Sequence, residues 1–96
     1  MSKITLKGFI VVPADELDTV KAELDNHVQL TIAEEGCLVF EITQDQSNPN
    51  RFNVYEEFED EQCFQAHQLR VRSSKWGAVT TNVERHYQVE GLSSDS

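Results

Sequence analysis

Basic residues are scarce in this sequence. Its 96 residues include eight Lys and Arg against seventeen Asp and Glu, a formal charge of −9. Binding a nucleic-acid backbone needs clustered Lys and Arg, and docking on an anionic membrane needs a basic patch. Neither partner is expected. The acid excess favours solubility and selects only weakly for a neutral or cationic ligand. Long apolar runs are missing too: no stretch approaches the roughly 20 residues that a membrane-spanning helix requires. The opening MSKITLKGFIVV places two lysines before a short apolar run, but Pro13 and an acidic segment follow with no small-residue cleavage site. It therefore reads as a strand and not as a secretion signal. There are only two cysteines, Cys37 and Cys63, without CxxC spacing. That pattern points to free thiols in a reducing compartment, hence to the cytoplasm. No GxGxxG loop is present, so no Rossmann-type nucleotide site is expected.

What is present is an orderly succession of periodicities. Ile4 to Val12 alternates as a strand, apolar on one face and partly apolar on the other, and Pro13 ends it. Asp15, Glu16 and Asp18 suit a helix start. Leu17, Val20, Leu24, Val28 and Ile32 then recur at three- and four-residue steps, an amphipathic stripe with His27 on its edge. Gly36 offers a helix stop. Cys37 to Gln44 reads as a second strand, with Leu38, Phe40 and Ile42 on one face and Cys37, Val39, Glu41 and Thr43 on the other. The turn composition DQSNPN leads into a hairpin with the strand that begins at Arg51. Ser73 or Ser74 can cap a short helix carrying Trp76. Val83 to Val89 forms a last strand, with His86 on its more polar side. Residues 1–91 are expected to form a single domain, and 92–96 a disordered polar tail.

The order strand, helix, strand, strand, helix pair, strand is the split βαβ plan of an α+β, ferredoxin-like βαββααβ fold, with a four-stranded antiparallel sheet. With the helices on one face, the other face has no covering layer in the chain. A homodimer joined sheet to sheet is the simplest cover.

The run Arg51 to His67, RFNVYEEFEDEQCFQAH, carries the chemistry. Phe52, Val54, Glu56 and Phe58 share one strand face by period two. Asp60 is placed as a helix N-cap, and Cys63, Phe64 and His67 share one side of the helix that follows. If that helix packs on the strand face, Glu56 and His67 meet in one semi-buried space. Two readings stand: an acid–base pair, or a carboxylate at a solvated edge beside a hydrogen-bonded core histidine. His27 is a second candidate for the same interior, against a partly exposed helix histidine. His27, Glu56 and His67 form the residue set of a two-His, one-carboxylate iron site. Their spacing fixes no ligand geometry, and no metal site is expected.

Several stretches, EEGCLVFEI, NPNRFNVYEEFED, the AH of QCFQAH and KWGAV, resemble in order and spacing those of the antibiotic biosynthesis monooxygenase family. The resemblance implies a small dimeric α+β barrel. It also implies one of the family's activities: cofactor-independent oxidation of aromatic or quinol substrates with molecular oxygen, isomerisation of a signal metabolite, or haem degradation. By the same resemblance His27 matches a helix histidine before the EEG turn, Tyr55 and Glu56 match a YE pair, His67 matches the AH, and Trp76 matches a later aromatic. Arg72 stands where many members have a second histidine.

The expected function is therefore a cofactor-free monooxygenase acting on a small aromatic or quinol substrate. His67 would be the base, Glu56 would orient it, and His27 would be a donor to the substrate oxygen. Phe40, Phe64 and Trp76 are the expected substrate contacts. Tyr55 joins them through the resemblance, although period two puts it on the strand face opposite Glu56. An acid–base isomerase and a non-catalytic ligand-binding dimer are the alternatives.

Overall fold

The computed structural model describes residues 3–91; the expected tail, 92–96, lies outside them. Strand β1 (Ile4–Val11) is followed by a 3-10 turn (Ala14–Glu16) and helix α1 (Leu17–Ile32). Then come β2 (Cys37–Gln44), β3 (Arg51–Phe58), α2 (Glu61–Arg72), α3 (Lys75–Val79) and β4 (Glu84–Glu90). The strands form one antiparallel sheet in the order β2-β3-β1-β4. This is the α+β, ferredoxin-like arrangement read from the sequence.

The core lies between the sheet and the helices. Ile4, Leu6 and Ile10 of β1 and Phe52, Val54 and Phe58 of β3 meet Val20 of α1, Phe64 of α2 and Trp76 of α3. Each such side chain contributes about 1.5–3 kcal/mol by leaving water. Local chemistry sets the helix ends. The Asp60 carboxylate accepts the amide of Cys63 at 2.9 Å, as an N-cap does. Ser74 accepts the amide of Gly77 at 3.2 Å to start α3. Gly36, at φ 83°, turns the chain between α1 and β2, and a Cβ there would come within 2.2 Å of Cys63 Sγ.

Two sequence expectations need correction. The most buried residues of α1 are Val20, Glu23, His27 and Thr31; Leu17, Val20 and Leu24 of the expected stripe pack on the core, but its last member, Ile32, is 54% exposed. His27 is at the centre of the buried face and not on its edge. In β2 a bulge lies between Cys37 and Val39: Cys37 pairs with Phe58, whereas Val39 pairs with Glu57. The extra residue is Leu38, which is exposed, while Cys37 turns towards the core. Strict alternation had assigned both to the opposite faces.

The other face of the sheet is mixed. The Arg51 guanidinium lies 3.8 Å over the Phe9 ring, and His86 stacks on Phe9 with centroids 4.7 Å apart. Tyr55 donates to Glu57, which also pairs with Lys3 at 3.2 Å.

Candidate active site

A cavity of about 500 Å3 opens between the helices and the sheet, within the range of roughly 300–1,000 Å3 typical of small-molecule sites. Every strand and every helix contributes to its wall. Glu56 enters from the middle of the sheet, where it pairs with Leu6 on one side and Phe40 on the other. That position leaves it 6% exposed. His67 reaches in from α2, His27 from α1 and Trp76 from α3.

His67 is the junction of the site. Its Nδ1 donates to Glu34 Oε1 at 2.8 Å. Glu34 is also ion-paired with Arg70, whose Nη2 donates to Thr31 Oγ1 at 2.9 Å. The Thr31 hydroxyl in turn donates to the carbonyl of His27 at 2.8 Å. This chain locks the end of α1 to α2. It also fixes the imidazole tautomer: with Nδ1 carrying the proton, Nε2 keeps its lone pair. Nε2 lies 4.0 Å from Glu56 Oε1. The sequence reading had Glu56 hold the second imidazole nitrogen; the hydrogen bond to the ring is made by Glu34 instead.

Burial decides the charges. Burial, and next the negative field of Glu34, push the Glu56 carboxyl up to about 8, so it is a neutral acid at pH 7. Burial pushes His27 down to about 3, helped by the positive fields of His67 and Arg70. Burial also lowers His67, although the Glu34 carboxylate and its hydrogen bond work in the opposite direction. Near neutral pH the cavity thus holds a free imidazole base beside a protonated carboxyl. Glu56 Oε1 and His27 Nδ1 are both buried without a hydrogen-bond partner among the described residues, a costly state that an incoming polar group would relieve.

The aromatic surroundings are ordered. His27 stacks flat on Trp76, centroids 4.4 Å apart at 3°, and its ring lies 6.2 Å from that of His67. Phe40 packs edge-on against both imidazoles, at 5.3 and 5.6 Å, behind the cavity wall and not in it. Phe64 packs on Phe58 at 5.7 Å and belongs to the core. Tyr55, on the opposite face of the sheet, does not reach the cavity. The structure therefore brings together His27, Glu56, His67 and Trp76, and separates Phe40, Phe64 and Tyr55 from the space they were expected to line. Arg72 of α2, which stands where many family members have a second histidine, also lines the cavity, and residues not anticipated there are Arg85 and Tyr87 of β4. The alternation of β4 had put Arg85 and Tyr87 on one face with Val89, a pattern that could have identified them.

Metal-donor geometry occurs elsewhere. Glu59, Asp60 and Cys63 bring donor atoms within 4.8 Å of one another, but Asp60 is engaged in capping α2. Among the described residues, His27, Glu56 and His67 do not place three donor atoms that close. Both cysteines are free thiols, and no helix among the described residues is long and apolar enough to cross a membrane.

Comparison with known proteins places the chain in a family. Solved structures share the fold at low identity. A Bacteroides thetaiotaomicron protein of unknown function, suggested to be an oxidoreductase, superposes with a TM-score of 0.78 at 17% identity, covering 92% of this chain and 95% of its own. A candidate antibiotic biosynthesis monooxygenase from Nitrosomonas europaea gives 0.77 at 20% identity, covering 94% and 97%. Another from Deinococcus radiodurans gives 0.71 at 17%, covering 98% and 95%. A search of curated proteins returns no significant match. The model of one family, antibiotic biosynthesis monooxygenase, matches residues 4–76. Over the greater part of its length, therefore, this chain belongs to the antibiotic biosynthesis monooxygenase family.

Proposed function

We propose that the protein is an oxygen-dependent monooxygenase that acts on a small aromatic or quinol-type substrate and takes the electrons for oxygen reduction from the substrate itself. One observation carries the reading: a free imidazole nitrogen, His67 Nε2, stands 4.0 Å from the buried carboxyl of Glu56 at a shared cavity. A flat, electron-rich substrate fits beside the Trp76–His27 stack. His67 takes the proton of a substrate hydroxyl, and the resulting anion passes electrons to dioxygen. One oxygen atom becomes bonded to a ring carbon. The O–O bond then breaks as that carbon loses its hydrogen as a proton, and the second oxygen takes that proton together with the one from Glu56 and leaves as water. The sum is a dihydroxy-aromatic plus O2 giving a hydroxyquinone plus water. Glu56 recovers its proton from the His67 imidazolium. His27, neutral, hydrogen-bonds a substrate oxygen.

The molecule is further proposed to work as a homodimer, the uncovered sheet face, with Phe9, Val11, Val39 and Tyr55, meeting its copy. The fold family and the absence of a covering layer support this.

The test is oxygen uptake by metal- and flavin-free protein with 1,4-naphthohydroquinone, less the uncatalysed rate. Protein-dependent uptake that falls at least about 100-fold in both His67→Ala and Glu56→Gln supports the mechanism. Uptake unchanged in both variants removes the residue roles. No uptake with a hydroquinone or an anthrone overturns the monooxygenase reading and leaves the same acid–base pair to an isomerase.

A further inference from the structure

The charges around the cavity run against those of the chain. The protein carries −9 overall, yet the charged side chains lining the cavity are Glu56, Arg72 and Arg85. The carboxyl of Glu56 is buried and adjoins the negative Glu34, which keeps it protonated at neutral pH. The fixed charge of the wall is then that of two guanidiniums.

Both arginines line the cavity while remaining solvent-exposed. Among the described residues no carboxylate lies within ion-pair distance of Arg72 or Arg85, whereas Arg51 and Arg70 each have one. Arg85 is held in place all the same. Its Nη2 donates to the carbonyl and hydroxyl of Thr80 at 3.1 and 3.0 Å, and its Nη1 to the carbonyl of Val83 at 3.3 Å. Those acceptors are uncharged, so they orient the planar fork and leave its charge free. A guanidinium pinned by neutral acceptors and facing a cavity is arranged to receive an oxyanion. Arg72 ends α2 and Arg85 lies on β4, so the two approach the cavity from different elements.

We propose that Arg72 and Arg85 form an oxyanion subsite, and that the ligand of this cavity is a planar aromatic bearing a carboxylate or a phosphate. The aromatic part rests on the proposed function; the anion subsite is additional to it. An anionic substituent held by the arginines would leave the ring beside the Trp76–His27 stack and its hydroxyl free to meet His67 and Glu56. The subsite would also let an acidic protein admit an anion, since two guanidiniums at the cavity set a local charge opposite to that of the whole chain.

Redox-inert probes separate the two levels. Isothermal titration of the full chain at pH 7 would compare 2-naphthol, 2-naphthoate and 2-naphthyl phosphate. We expect one or both anions to bind about tenfold or more tightly than the naphthol, with the preference shrinking as salt rises. Which anion leads identifies the source of the charge. Arg72→Gln and Arg85→Gln should each bind anion and naphthol nearly alike, and the charge-retaining Arg72→Lys should keep part of the preference. Circular dichroism of Arg85→Gln monitors the loss of its Thr80 contacts, and Arg72→Gln, which breaks no side-chain hydrogen bond among the described residues, decides the matter if Arg85→Gln unfolds. Naphthol binding as tightly as either anion, or a preference that survives in Arg72→Gln, overturns the subsite and leaves the aromatic cavity standing. Failure of all three probes to bind overturns the subsite and the aromatic reading together.

Discussion

Glu34 holds His67 from behind: its carboxylate accepts the Nδ1 proton at 2.8 Å and leaves Nε2 directed at Glu56, 4.0 Å away. The two residues are thirty-three positions apart in sequence. Replacing Glu34 by Gln removes the ion pair with Arg70 and the charge that favours the imidazolium. Oxygen uptake should fall about 10- to 100-fold through kcat, with KM little changed. Nitrogen NMR of His67 is the check: the Nδ1–H tautomer should dominate in the wild type and lose its dominance in the variant. A fixed tautomer in both would remove the positioning role.

The pH profile follows from the buried groups. Activity needs His67 free of its proton and Glu56 carrying one. The rising limb should fall below the ordinary imidazole value of about 6.5, because burial lowers His67. The falling limb should lie near the value of about 8 to which burial raises Glu56. The residual activity of Glu56→Gln should lack that falling limb.

Stability responds to the same carboxyl. The folded value of Glu56 lies above its unfolded one, so its contribution is fully present below the unfolded value and is lost as pH rises through about 8. Between pH 5 and pH 9 the melting temperature of the wild type should fall relative to Glu56→Gln by on the order of 10 °C or more. A constant gap between the two would mean that the carboxyl is not held neutral. His27 acts in the opposite sense. Its folded value of about 3 makes its contribution disappear as pH falls from its unfolded value, so removing the imidazole should soften acid unfolding.

Gly8 is a backbone requirement. A Cβ there would lie 1.9 Å from the carbonyl oxygen of His86, inside the β1–β4 pairing. Gly8→Ala should cost about 3 kcal/mol, measurable by guanidinium denaturation. A loss under about 0.5 kcal/mol would place it among ordinary surface changes instead.

The sheet face predicts an assembly. Sedimentation equilibrium should give twice the 11.0 kDa of the chain. Phe9→Glu, which breaks the Arg51–Phe9–His86 stack, should shift the mass towards the monomer. A wild-type protein that stays monomeric at high micromolar concentration would remove the dimer.

The parts of this molecule that follow from local rules could be read from the chain. The alternation of Phe52, Val54, Glu56 and Phe58 is the buried face of β3, and Asp60 caps α2 as its side chain and position imply. The meeting of Glu56 with His67 followed from those two facts. Glu34, in the turn after α1, did not, because only the tertiary fold brings that turn beside α2. The inner face of α1 was legible only in part. Leu17, Val20 and Leu24 of its apolar stripe pack on the core, whereas the polar Glu23, His27 and Thr31 are buried beside them and Ile32 is not. The bulge at Leu38 was invisible because one extra residue leaves no mark in an otherwise alternating strand.

The face-to-face contact of His27 and Trp76 has a use outside catalysis. Trp76 is the sole tryptophan, so all indole emission from this protein originates at the wall of one cavity. A protonated imidazole in contact with an indole quenches its light, whereas a neutral one does so far less. Because His27 stays neutral down to about pH 3, the emission should hold steady across the working range. A change in it would report a molecule sliding into the cavity. The protein carries its own optical gauge of occupancy, without a label and with a single, known address.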